Sequence, residues 1–164
     1  LAQTYGPAAP AALRSVRAVV NVHLVLGIAV VALNLLAGVW GVYAWLKRRP
    51  SVAFWYLLRV AQGAIIIQTI LGVSLLLSDH KAGSDLHYLY GLLPLPLMLI
   101  TEMMRVGAAQ QVVGDIDYEK LPEDEAQDLA MKIFIAETRV MALGCLIIAG
   151  LAFRAGTTSG HLWG

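Results

Sequence analysis

Charge is scarce in this sequence. Only 14% of its 164 residues are Asp, Glu, Lys or Arg, against about 25% in soluble domains. The shortfall is concentrated in long uncharged runs, and 59% of the residues are hydrophobic, with a mean hydropathy of +0.70. Lipid is therefore the solvent for most of the chain. A formal net charge of +1 gives no reason to expect a nucleic-acid partner. Cysteine is nearly absent as well: Cys145 alone excludes an internal disulfide and a thiolate zinc cluster. It lies in "MALGCLIIAGLAF", where it reads as a small buried residue. The opening "LAQTYGPAAPAAL" lacks a long apolar core and reads as a tail, not a signal peptide.

What is present is four apolar segments, each near the ~20 residues a membrane helix needs. They cover about 19–46, 52–77, 86–106 and 130–153. The expected fold is an all-α integral membrane four-helix bundle spanning 19–154. An N-terminal tail (1–18) and a C-terminal tail (155–164) flank it. In "KRRPS" Pro50 suits the first turn of the next helix, and in "SDHKAGSD" Ser84 or Asp85 can cap the third. The connection 107–129 is acidic, and its "LPEDEAQ" places a proline and carboxylates where a helix start favours them. Pro94 and Pro96 predict a kink in the third helix.

Lys and Arg set the orientation. Lys47, Arg48 and Arg49 share one turn, and Arg105, Lys120 and Lys132 fall on the same side, with Arg59 and Arg139 near it. The opposite side carries Arg14, Arg17, Lys81 and Arg154. The basic turn is thus expected in the cytoplasm and both termini outside, in a cell membrane of the prokaryotic plasma-membrane kind. Trp40, Tyr43, Trp45, Trp55 and Tyr56 fit an aromatic belt at the inner face.

This topology puts all four histidines on the external side. His23 lies near the outer end of the first helix and His87 opens the third, while His80 and His161 fall in solvated segments. Helices one and three run the same way, so a rise of ~1.5 Å per residue brings His23 and His87 to similar depth. In "HLVLG" and "HYLYG" a glycine follows each histidine by four residues, Gly27 and Gly91, on the same helix face. Two such faces opposed across a bundle suit a flat macrocycle with an imidazole on each side, a bis-histidine haem. The plainer reading is that glycines serve close helix packing and each histidine binds water or a headgroup.

The runs "VHLVLGIAVVALNLLAG", "QTILGVSLLL" and "LHYLYGLLPLPLML" resemble the repeating half of heme A synthase and related four-helix haem-binding membrane modules. In those halves a histidine opens one helix, Gln-x-x-x-Gly follows in the next, and a second histidine opens the third. The matching positions are His23, Gln68 with Gly72, and His87, within about residues 19–100. The resemblance implies a haem b whose iron is held by His23 and His87. It does not extend to the synthase's oxidation chemistry. The chain has one such half, Leu24 stands where an arginine follows the histidine, and no acid lies in "RSVRAVVNVH". No catalytic residue is therefore assigned. If haem is bound, its propionates are expected near Arg17, Lys81 and Arg154, with Tyr88 or Tyr90 as hydrogen-bond donors.

Arg59, Glu102, Glu137 and Arg139 near the inner ends read chiefly as an interfacial ion network and secondarily as a proton entry point. Asn21, Asn34, Gln62 and Gln68 read as modest interhelical glue. Two functions follow. One is a small b-type haem protein for electron transfer or haem handling. The other is a haem-free accessory subunit of a larger membrane complex, docking through the acidic segment 115–128. A redox partner is expected at that same segment.

Overall fold

The computed structural model describes residues 11–78, 82–117 and 120–159. Five helices make four spans: α1 (Ala11–Leu46), α2 (Val52–Leu77), α3 (Asp85–Leu92) with α4 (Pro94–Val113), and α5 (Glu123–Thr158). All four spans are long and apolar enough to cross a membrane. Each runs antiparallel to its neighbours: Gly27 lies against Gln68 and Gly41 against Phe54 between α1 and α2, and Gly38 against Leu146 between α1 and α5. Between α4 and α5, Gly144 lies against Thr101.

Several helices run past the apolar segments. α1 begins at Ala11, inside the expected tail. α4 continues to Val113, and α5 starts at Glu123, both inside the expected connection 107–129. The reason lies in local chemistry. Pro122 takes the N-cap position of α5, and Glu123, Asp124 and Glu125 complement its positive end. Ser51, one residue past Pro50, caps α2 by accepting from the Phe54 N–H, and its hydroxyl also accepts from Trp40 Nε1 at 2.8 Å. Of the two candidate caps of the third span, Ser84 does the work, accepting from the Leu86 N–H. The expected kink is a break at Leu93, with Pro94 opening α4.

Small side chains stand where the helices approach most closely, and Phe54, Leu58, Ile65 and Met141 fill the core around them. Ala37, Ala61 and Ala142 are fully buried, and a Cβ on Gly41 would come within 2.5 Å of the Phe54 ring and 2.7 Å of Ala142. Large apolar side chains such as Leu35, Leu36, Val39, Ile67, Leu77 and Phe153 face outward, where lipid solvates them. One buried cluster joins Ala37, Phe54, Leu58, Met141, Ala142 and Cys145. A second, of Val30, Ala64, Ile65, Met98 and Ile148, forms an apolar layer nearer the middle of the bundle.

Candidate functional site

Two polar groups interrupt this apolar interior, one on each side of that layer. At the end where the chain leaves α5, the imidazoles of His23 and His87 meet with ring centroids 6.2 Å apart and planes at 69°. The turn that brings them together is built by α3. Its cap at Ser84 starts the helix, and the break at Leu93 lets these two turns lean on α5. There His87 Nδ1 donates to the Ala155 carbonyl at 2.9 Å, one of the carbonyls a helix end leaves without a backbone donor and one that the Thr158 hydroxyl also reaches at 3.0 Å. A carbonyl only accepts, so Nδ1 carries the proton of the neutral ring and Nε2 keeps its lone pair.

His23 is held from the other side. Gln68 Nε2 lies 3.4 Å from His23 Nε2, while His23 Nδ1 and Gln68 Oε1 are buried with no hydrogen-bond partner among the described residues. Glycines make room for both side chains. A Cβ at Gly72 would come within 3.1 Å of His23 Cε1, and one at Gly27 within 3.0 Å of Gln68 Nε2. The space beside Gly27 is thus taken by Gln68. Gly91, one turn below His87 on the same face, differs: a Cβ there would meet no atom within 4 Å.

The remaining site candidates lie around this pair. The Tyr88 hydroxyl accepts from the Ala82 N–H at 2.7 Å and so ties the preceding loop to α3. Arg154 places its guanidinium 6.0 Å from the centre of the Tyr90 ring. Arg17 is exposed about two turns nearer the start of α1. His80, Lys81 and His161 lie outside the described residues.

A metal atom bonded to two imidazoles at ~2.0–2.1 Å each holds their centroids about 6 Å apart, close to the separation of His23 and His87. One imidazole has its second nitrogen fixed by a carbonyl, as metal-bound histidines commonly do. The other has its Nε2 against the Gln68 amide, which must turn aside for His23 to bind a metal through that nitrogen. Among the described residues no three His, Cys, Asp or Glu converge. The sequence pointed to His23, His87, Gln68 and Gly72. It held no sign of the Ala155 carbonyl, because any residue type supplies a backbone acceptor.

The second polar group lies toward the basic turn. Glu102 Oε1 accepts from Arg59 Nη1 and from Gln62 Nε2, the latter at 2.7 Å. Its Oε2 accepts from Arg105 Nε at 2.8 Å, and Arg105 Nη1 also donates to Glu137 Oε1 at 2.7 Å. Arg105 further lies 5.8 Å from the centre of the Trp55 ring. Three spans are thereby joined by alternating charges, the arrangement that makes ionised groups tolerable at such depth. The expected network therefore forms, with Arg105 added, while Arg139 is exposed on the outer side of α5.

Apolar exteriors, small-residue interiors and four crossing helices define a multi-pass membrane protein built as a four-helix bundle. Comparisons with protein-family models, with curated protein sequences and with solved structures find no match.

Proposed function

We propose that this protein is a small b-type haem protein that uses His23 and His87 as axial ligands and serves electron transfer or haem handling. The carrying observation is the approach of the two rings to 6.2 Å, with His87 Nδ1 anchored on Ala155 so that its other nitrogen keeps its lone pair. The resemblance of residues 19–100 to one half of heme A synthase supports the same reading. Haem, when bound, supplies a one-electron iron couple, and two axial imidazoles leave that iron no open position for oxygen.

The chain's own residues do the rest. Ala155 fixes the His87 ring, and Gly72 lets His23 stand against α2. Arg17 and Arg154 are the described cations for propionates at that end of the bundle, and Lys81, expected there from the sequence, lies outside the described residues. With the basic turn in the cytoplasm, the histidine end faces outward across a prokaryotic plasma membrane. The test is an oxidised-minus-reduced absorption spectrum of protein purified after haem-replete expression. A Soret band lost in both His23→Ala and His87→Ala is expected. A wild-type sample without the band sinks the reading.

A second reading, a haem-free subunit of a larger complex, draws on a different observation. The first turns of α5 expose Glu123, Asp124, Glu125 and Asp128 beside a surface cleft of about 410 Å³ floored by Ile116, Leu121 and Leu129. Loss of co-purifying subunits on deleting 115–128, with no Soret band in the intact chain, selects it.

A further inference from the structure

We infer that the histidine pair opens sideways to the hydrocarbon phase through the seam between α2 and α3, and that a planar amphiphilic macrocycle enters there. This rests on the haem reading above and adds the route and the phase from which the site is filled.

The bundle is not evenly packed. α1 lies closely along α2 and α5, and α4 closely along α5, whereas α2 meets α3 and α4 only sparsely. At the basic end Arg59 and Gln62 pin α2 to Glu102 of α4. The α2 face that carries these two residues continues at helical steps through Ile66, Thr69, Val73 and Leu76. This stripe is turned toward the third span, yet Ile66, Val73 and Leu76 are exposed by 44%, 39% and 42%. The seam is therefore pinned at its basic end and stays open along the stripe toward the histidines.

The other wall explains why. α3 is released from α4 by the break at Leu93 and leans on α5, through His87 on Ala155 and Arg154 over Tyr90. Leaning that way draws it off α2. Gly91 records the result. It shares the inward face of His87, yet a Cβ there would touch nothing, while Gly27 and Gly72 on the opposing helices are both filled against. At this end of the seam the open side of Gly91 lies one turn from His87, whose ring meets that of His23, and the α2 stripe across from it is mostly apolar. That is the chemistry of a flat, largely apolar ring carrying a metal. The lips of the opening are aliphatic, which admits lipid-dissolved molecules and discourages hydrated ones.

The experiment uses the full chain in lipid nanodiscs. Gly91→Cys carries a nitroxide label, since the native Cys145 is buried. Before haem is added, collision with dissolved oxygen should exceed collision with an aqueous nickel chelate severalfold. Hemin loading is then read on the unlabelled chain, because the label itself fills the space beside Gly91. In parallel, Gly91→Leu should keep wild-type helicity and melting while its haem content falls about tenfold. A label shielded from oxygen, or reached better by nickel, overturns the lateral opening, as does Gly91→Leu that loads like wild type. In those outcomes a Soret band dependent on His23 and His87 leaves the haem reading standing. No hemin binding by the wild type overturns both.

Discussion

Removing the Glu102 carboxylate tests whether the charged network holds the bundle or merely decorates it. Glu102→Leu deprives Arg59, Gln62 and Arg105 of an acceptor at once, while Arg105 keeps Glu137. Breaking a fully buried ion pair costs about 3–5 kcal/mol because a charge is left unpaired. Glu102 and Arg105 are each 24% exposed, which places their shared loss at the lower end, about 2–3 kcal/mol. The Arg59 side chain is 53% exposed and can reach the headgroups, so its coupling to Glu102 should be screened to about 1 kcal/mol or less. Double-mutant cycles separate the two pairs, Glu102→Leu with Arg105→Met and Glu102→Leu with Arg59→Met. Unfolding is titrated with SDS in bicelles and followed by Trp55 fluorescence, since Trp55 lies beneath the Arg105 guanidinium. The expected order is a larger coupling for Arg105 than for Arg59. Equal couplings near zero, or the reverse order, would refute the argument from depth and screening.

Two further outcomes follow from glycine positions. Gly72→Ala sets a methyl 3.1 Å from His23 Cε1 and must displace the ring by a few tenths of an ångström. Since metal–ligand distances tolerate about 0.2 Å, hemin titration should show roughly tenfold weaker binding with melting little changed. Wild-type affinity would remove His23 from the ligand pair. Gly41→Ala drives a methyl into Phe54 and Ala142, and thermal unfolding should register about 1–3 kcal/mol of overpacking. Gly150→Ala, whose Cβ meets no atom within 4 Å, should show no such loss.

Much of the fold was legible because the bilayer imposes its lengths on the sequence. The four apolar runs, a cap at Ser84 or Asp85, a proline distortion of the third span and an ion network at the inner ends all follow from residue type and spacing. Helix ends were less legible. Hydropathy marks where lipid stops and not where hydrogen bonding does, so α4 and α5 continue into polar sequence. In the site, the meeting of His23 and His87 followed from parallel spans and equal depth. The partner of Gly27 did not, because i+4 spacing defines a helix face and not what faces it. Arg105 joined the network unannounced, since its reach to Glu137 depends on the rotation of α4 against α5.

The layer of Val30, Ala64, Ile65, Met98 and Ile148 has an electrical meaning. Gln62 and Gln68, which mark the two polar groups along α2, are six residues apart, or ~9 Å of helix rise. The α2 residues between them, Gly63 to Ile67, offer a proton no stepping stone, and just outside them the Asn34 amide and the Thr69 hydroxyl are each turned back onto a carbonyl of their own helix. Charge placed on the histidine side must then be balanced from that side's water alone. The bundle is a dielectric with one live terminal.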